Sequence, residues 1–330
     1  MKILITGVAG FIGFSLADNL LKSNKKIKIY GLDNFDNYYS KKIKKIRILD
    51  LKSSKRFKFL QVDICNRNLL IKKLRRQKFK YVIHLAAQAG VRFSAINPKK
   101  YVNTNIFGFI NLLDATLKCR PRKILYASSS SVYGDSKNLP SKEHHQLFPK
   151  NIYASSKKIN EIIANFYSKY YKLNLIGLRF FTVYGQWGRP DMFLFKLFNS
   201  FLLKKKFYLN NSGNHMRDFT YIDDVVEITK KLLFSKKTKP NHSIFNVCSN
   251  KPIKITKIIN FFQNKYGGVK IKKILRNKLD VKNTHGSNKK VKKVTSFSKF
   301  TDYKSGVKNS FEWYNKYKIH KIIQSVKNEN

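Results

Sequence analysis

In the segment NIYASSKKINE a tyrosine, Tyr153, and a lysine, Lys157, stand four residues apart. On a helix that spacing brings both side chains to one face. A tyrosine of ordinary pKa, about 10, is a poor base near neutrality. A neighbouring ammonium and a cationic ring would both favour the phenolate and bring it into working range. Upstream, ASSSSVYG, Ala127–Gly134, closes an apolar run with a row of hydroxyls. One of them can share a substrate's hydroxyl proton with the tyrosine, and the others suit a turn or a helix cap. In a chain this rich in Lys and Tyr, a tyrosine four residues before a lysine also arises by chance. The pair therefore draws its meaning from its surroundings. A further segment, RFFTVYGQWGRPD from Arg179 to Asp191, concentrates aromatics and arginines. It is compatible with a nucleic-acid surface, a buried strand or a pocket for a charged small molecule.

The elements that would position these residues alternate. Apolar runs at Lys2–Thr6, Lys26–Leu32, Arg56–Val62, Tyr81–Leu85, Lys123–Ala127 and Leu173–Arg179 are separated by helical patterns, the longest over Pro98–Leu117 and Tyr153–Tyr170. Such alternation predicts an α/β fold with a doubly wound parallel sheet. The first run is followed by GVAGFIG, Gly7–Gly13, which opens a helix. Glycines allow the tight turn and the close backbone approach, and the helix N-terminus favours a pyrophosphate. Asp33 closes the second run at the place where a carboxylate accepts hydrogen bonds from a ribose. It would repel a 2′-phosphate, so NAD is expected rather than NADP. The bland role for Asp33 is a solvated turn beside Asn34. After about Tyr184 the alternation weakens. We expect residues 1–184 to form the nucleotide-binding domain and residues 185–330 mainly a smaller substrate lobe, with later segments returning to the first sheet.

With 68 Lys and Arg against 18 Asp and Glu, the formal net charge is +50. The excess is mostly Lys spread through nearly every segment, as codon bias in an AT-rich genome would also produce. The densest runs, Lys41–Arg47 and Lys270–Lys278, lack stacking aromatics and read as solvated faces rather than nucleic-acid platforms. A specific nucleic-acid partner is therefore not expected, although a basic surface helps to attract an anionic substrate. Cys65, Cys119 and Cys248 are far apart and form no metal-binding pattern, so reduced thiols, a cytoplasmic protein and no metal are expected. The N-terminal residues superficially resemble a signal peptide, but the spacing of Gly7, Gly10 and Gly13 has the other explanation. No stretch approaches the roughly 20 apolar residues of a membrane span.

Together GVAGFIG, Asp33, VDI at Val62–Ile64, HLAAQAGV at His84–Val91, SSSSVYG, Tyr153 with Lys157, and RDFTYIDD at Arg217–Asp224 resemble the extended short-chain dehydrogenase/reductase family. The resemblance covers nearly the whole chain and implies a Rossmann-type sheet with a smaller, mostly C-terminal substrate-binding lobe. Within the family, HLAAQAGVRFS, RFFTVYGQWGRPDM and RDFTYIDD are most similar to the 4-epimerases of UDP-glucuronate.

The resemblance implies that Gly7, Gly10, Phe11, Ile12, Gly13, Asp33 and Asn34 hold NAD. Asp63 and Ile64 would lie at the adenine, Leu85, Ala86, Ala87 and Gln88 beside the cofactor, and Asn105 behind the catalytic lobe. It makes Tyr153 the base, Lys157 the ligand of the nicotinamide ribose and Ser129 the hydroxyl partner, with Ser130 and Ser131 as neighbours. Arg217 would clasp the UDP-sugar diphosphate, and Asp280 would lie near the nucleotide. A homodimer through the Pro98–Leu117 and Tyr153–Tyr170 helices is implied as well.

The expected reaction is inversion at C4 through a transient 4-keto sugar. In a uronic acid that ketone makes a β-keto acid, prone to lose carbon dioxide unless the carboxylate is held out of alignment with the carbonyl. Thr182 and Arg189 are candidate clamps; the bland alternative pairs Arg189 with Asp191. A dehydratase would carry an Asp-Glu pair where Ser130 and Ser131 stand. A UDP-glucuronate decarboxylase remains an alternative, as does a neutral UDP-hexose epimerase, which commonly has Asn at position 182. A non-catalytic nucleotide-sensing or nucleic-acid-binding member would be expected to lack the intact Tyr153/Lys157 pair. Gln186 stands where a proline is usual, which would loosen the loop, and Leu279 where a glycine is usual, which bears on the contacts near Asp280.

Overall fold

β1, Lys2–Thr6, carries the uninterrupted run Ile3-Leu4-Ile5 and is buried on both faces, as a central parallel strand requires. In the computed structural model, which describes residues 1–238 and 240–324, it leads through a glycine turn into α1, Phe11–Ser23. That helix buries Phe11, Phe14, Ala17, Leu20 and Leu21 along one stripe of helical spacing. The chain continues through β2 (Lys28–Asp33), α2 (Lys41–Lys52), β3 (Phe57–Gln61), α3 (Arg67–Leu74) and β4 (Tyr81–His84). Two short helices, α4 (Phe93–Ile96) and α5 (Pro98–Tyr101), precede a wide π-turn at Val102–Phe107 and α6 (Gly108–Leu117). β5 (Lys123–Ser129), α7 (Ile152–Tyr171) and β6 (Leu175–Phe180) complete the first half.

The helix expected over Pro98–Leu117 is thus interrupted by the π-turn. The expansion leaves a carbonyl to be satisfied from outside, and Asn160 of α7 does so, donating from Nδ2 to the Asn105 oxygen at 2.6 Å.

The second half contains β7 (Thr182–Tyr184), α8 (Phe193–Leu202), β8 (Phe207–Asn210), β9 (Met216–Tyr221), α9 (Ile222–Phe234), β10 (His242–Val247), β11 (Pro252–Lys254), α10 (Ile255–Tyr266), β12 (Ile271–Ile274), α11 (Lys289–Thr295), α12 (Tyr303–Lys316) and α13 (Ile319–Gln324). Seven strands form one parallel sheet in the order β10-β6-β5-β4-β1-β2-β3. β10 joins β6 from beyond residue 184, in register from His242 opposite Leu175 to Val247 opposite Phe180. A small sheet β11-β9-β7 and the pair β12-β8 lie outside it. One hydrophobic cluster runs from Ile3 and Leu20 through Leu232 to Phe262 and Tyr314, so α9, α10 and α12 share a core with the first half of the chain.

The order of the sheet reverses at β1, which pairs with β2 on one side and β4 on the other. In open parallel sheets the crevice beyond the C-terminal ends of such strands is where ligands bind. Among the described residues, no helix is long and apolar enough to cross a membrane.

Candidate active site

A cleft of about 1120 Å³ opens beyond the C-terminal ends of the sheet and extends to the small strands. It exceeds the roughly 300–1,000 Å³ typical of a pocket for one small ligand. Gly7, Gly10, Phe11, Ile12 and Gly13 line its first end. Gly7 has φ +70°, and a Cβ there would stand 2.6 Å from the backbone nitrogen of Ala86, because β1 and β4 run side by side. A Cβ on Gly13 would stand 2.3 Å from the Gly7 carbonyl oxygen. Only glycine permits this turn. Gly10 caps α1 without a side-chain hydrogen bond, and the first turn contains no acidic residue. The helix therefore offers its free N–H groups and positive end to an anion.

Asp33, at the end of β2, is buried, and its carboxylate is anchored twice: Oδ2 accepts from Ala9 N at 3.0 Å and Oδ1 from Phe35 N at 2.9 Å. Burial pushes its pKa up, against the pull of Lys44 and these N–H groups. Asn34, Ile64, Leu85, Ala86, Ala87 and Gln88 continue the lining. Asp63 and Asn105 stand one layer behind it. Asp63 receives Asn34 Nδ2 at 2.9 Å, and the Asn105 amide accepts from Gln88 N at 2.8 Å while donating to the Gln88 oxygen and to Ser156 Oγ. This glycine cradle, uncapped helix and buried carboxylate at the end of β2 fit a dinucleotide such as NAD.

The wall that carries the candidate catalytic residues comes from β5 and α7. Asn151 caps α7, its Oδ1 accepting from Ala154 N at 2.9 Å. The helix then buries Lys157, Asn160 and Glu161 and exposes Ile159, Ile162, Phe166 and Tyr170. Its inward face thus carries these polar groups beside Ala154, Ala164 and Tyr167, while a row of apolar residues points outward. Tyr153 and Lys157 meet Ser129, Ser130 and Ser131 in the cleft. Burial pushes the Tyr153 phenol up, opposed by a hydrogen bond with Ser129 and by the charge of Arg189. The expected lowering by Lys157 is absent: its ammonium donates to the Ala127 carbonyl at 2.9 Å and is itself pushed down to about 8 by burial.

The serines divide their work. Ser128 donates to Glu161 Oε1 at 2.6 Å, Ser129 accepts from Ser131 N and Oγ as the cap of the next turn, and Ser130 and Ser131 face the cleft. Behind them Arg179 grips both oxygens of Glu161, at 2.8 and 2.7 Å, and Tyr133 bridges Arg179 to Asn246. Arg179 thus belongs to the wall rather than to a surface.

The opposite side of the cleft carries Thr182, Arg189, Arg217 and Asp280. Arg189 is forked onto Asp191, with Nε to Oδ1 at 2.9 Å and Nη2 to Oδ2 at 2.5 Å, so the pairing with Asp191 is present. Tyr38, from the loop after β2, donates to the same carboxylate at 3.2 Å. Arg217 donates to the carbonyls of Met216, Val281 and Lys282; burial pushes it down to about 10, against Asp280 and Asp135. Asp280 itself pairs with Arg92 at 2.7 Å and accepts from Asn210. Gln186 accepts from Tyr221 OH at 2.7 Å, which tethers the loop expected to be loosened there.

Lys41–Arg47 is not wholly the solvated face its composition predicts. Lys44 is buried and donates to the Asp36 carbonyl at 2.6 Å, while Arg47 is completely enclosed. Both have cleft-side loops to hold, which only the tertiary arrangement reveals. Glu161 was equally unmarked, although its place one turn beyond Lys157 on the same helical face was the available signal. Cys65, Cys119 and Cys248 are all free thiols, and among the described residues no group of His, Cys, Asp or Glu is arranged to hold a metal.

A reversed seven-stranded parallel sheet with a glycine turn at the reversal and a tyrosine–lysine helix across it defines a nucleotide-dependent α/β enzyme. Residues 3–248 match the NAD dependent epimerase/dehydratase family, and the chain belongs to that family. It is 38% identical over 336 residues to UDP-glucuronate 4-epimerase 4 of Arabidopsis thaliana, covering 96% of this chain and 76% of that one. It is 36% identical over 339 residues to Protein CapI of Staphylococcus aureus, covering 96% of this chain and 99% of CapI. The crystal structure of UDP-glucuronic acid 4-epimerase from Bacillus cereus with UDP-glucuronic acid and NAD superposes with a TM-score of 0.91 at 30% identity, covering 96% and 100% of the two chains.

Proposed function

We propose that this chain is an NAD-dependent 4-epimerase that interconverts UDP-glucuronate and UDP-galacturonate. The observation that carries the reading is the convergence, in one cleft, of Tyr153, Ser129 and Lys157 with the glycine turn on one side and Thr182, Arg189 and Arg217 on the other.

Gly7–Gly13 and the start of α1 would hold the dinucleotide diphosphate, Asp33 and Asn34 the adenosine ribose, and Ile64 with the Asp63-braced Asn34 the adenine side. Leu85–Gln88, braced by Asn105, would run beside the cofactor, with Lys157 on the nicotinamide ribose. NAD, when bound, would supply the acceptor for the C4 hydride and, once reduced, the donor that returns it, together with a positive ring that favours the Tyr153 phenolate.

Tyr153 takes the proton of the C4 hydroxyl, and Ser129 hydrogen-bonds the same oxygen. The keto sugar then turns about its bond to the diphosphate, which Arg217 holds beside Asp280. Tyr153 returns the proton once C4 has inverted. Ser130, Ser131, Thr182 and the Arg189 guanidinium hold the C6 carboxylate out of alignment with the C4 carbonyl, which protects the intermediate from losing carbon dioxide. The position of Ser130 and Ser131 also removes the acid pair that an elimination needs.

Incubation of the purified protein with UDP-glucuronate and NAD, followed by proton NMR, tests the reading. UDP-galacturonate without carbon dioxide is the expected product. A UDP-pentose with carbon dioxide, or an unchanged substrate, overturns it.

The exposed row Ile159, Ile162, Phe166 and Tyr170 of α7, with Phe107 of the π-turn, supports a homodimer through these helices. The three free thiols support a cytoplasmic protein. Sedimentation of the protein and of Ile162→Lys checks the first point: a dimer that becomes monomeric is expected.

A further inference from the structure

Arg47 of α2 is 0% exposed, and among the described residues no carboxylate pairs with it. Its guanidinium donates only to neutral oxygens, from three parts of the chain, and lies over the Tyr39 and Trp187 rings, 5.8 and 6.0 Å from their centroids. Nη1 donates to the Ala9 carbonyl at 2.8 Å and to Tyr39 OH at 2.9 Å. Nη2 donates to the Trp187 carbonyl and to the Gly188 carbonyl, the latter at 3.2 Å. Nε has no partner. A buried guanidinium with no directly paired carboxylate, and only the more distant charge of Asp33, is costly to keep, so its hydrogen bonds must hold something that matters.

Both ends of this bridge are special. Ala9 lies inside the glycine turn, and its N–H is held by Asp33 while Arg47 holds its carbonyl. Trp187 has φ +60°, a left-handed conformation that a bulky side chain adopts only when its surroundings impose it. Its ring is wedged between Phe14 of α1 and Trp313 of α12, with centroids 4.9 and 5.0 Å away. Two residues further on stands Arg189, forked onto Asp191, whose carboxylate also receives Tyr38 OH.

We propose that Arg47 is a positioning residue that fastens the strained Trp187–Gly188 turn to the glycine turn and so sets Arg189 at the sugar end of the cleft. The inference rests on the UDP-glucuronate reading above for what Arg189 meets. Lysine, with one point of charge in place of a planar fork, cannot span the same acceptors.

The test uses the full chain with its cofactor and the variant Arg47→Lys, read by amide hydrogen exchange and by calorimetric binding of UDP-glucuronate and of UDP. Exchange in residues 185–191 is expected to accelerate about tenfold while β5 is unchanged. UDP-glucuronate affinity is expected to fall about tenfold, the scale of one charge-assisted contact, while UDP affinity changes less than about twofold. Tyr39→Phe, which removes one acceptor and spares the charge, is expected to shift the same two readouts by about two- to threefold. It keeps the proposal open to refutation if Arg47→Lys does not fold. Equal weakening of both ligands, or unchanged exchange in residues 185–191, overturns it. A wild-type protein that binds UDP-glucuronate no better than UDP-glucose sinks the substrate reading instead, and the exchange result still decides whether Arg47 fastens the turn.

Discussion

Arg179 and Arg47 are both enclosed guanidiniums, yet they are held in opposite ways. Arg179 of β6 grips Glu161 of α7 at both oxygens through Nε and Nη2, and Tyr133 OH and the Glu143 carbonyl accept from its Nη1. The pair ties the serine strand, the reacting helix and β6 into one wall that is complete in itself. Arg47 has no directly paired carboxylate, only the more distant Asp33, and depends on carbonyls from the glycine turn and the Trp187 turn. Its hydrogen bonds exist only while those segments stay together. A charge neutralised by its own partner makes a rigid wall, whereas a charge solvated by backbone makes a joint between loops. The groups proposed to react stand on the wall, and those proposed to face the sugar stand beyond the joint.

The largest effect is expected on the wall. Tyr153→Phe should lower kcat by about 10³-fold while UDP-glucuronate and NAD binding change by less than about twofold, because the phenol is needed for proton transfer rather than shape. Steady-state kinetics with calorimetry checks this, and near-normal turnover would remove Tyr153 as the base. Next, Glu161→Ala should cost about 3–5 kcal/mol in denaturant unfolding, since it leaves Arg179 buried and uncompensated. A loss below about 1 kcal/mol would mean that the wall is not built on that pair.

A smaller effect concerns pH. With Lys157 pushed down to about 8, its ammonium is lost as pH rises through that value, and kcat/KM should fall about tenfold per unit above it. Lys157→Arg should move that alkaline limb upward, because a guanidinium keeps its proton.

The smallest effect is on stability in acid. Burial lowers His84 to about 3, and His242, similarly buried, to about 4. Both are neutral in the folded chain, while the unfolded chain binds protons below about 6.5. Stability is therefore full above that value and is lost as pH falls toward 4, by about 1 kcal/mol per histidine at pH 6. Thermal unfolding across this range checks the sign.

The regions differ also in how far they could be read in advance. The glycine turn, Asp33 and Tyr153 with Lys157 depend on spacing along single elements: a strand followed by a glycine turn, or two positions one helical turn apart. Such relations survive in linear order. Of the two roles open for Arg189, the pairing with Asp191 is present in the structure, and the residue still lines the cleft; linear order showed neither. The interruption of Pro98–Leu117 was hidden because its stabilising donor, Asn160, comes from another helix.

By itself, then, the order of residues determined the alternation of strands and helices, the reversal-point glycines and the face of α7 that turns toward the cleft. These follow from backbone periodicity and from the steric freedom of glycine. Only the tertiary structure decided that Lys44 and Arg47, in a run composed like a solvated surface, turn inward, and that Glu161 and Arg179 close on one another. Burial and partnership depend on which distant segments arrive beside a charge. No local spacing encodes that arrival.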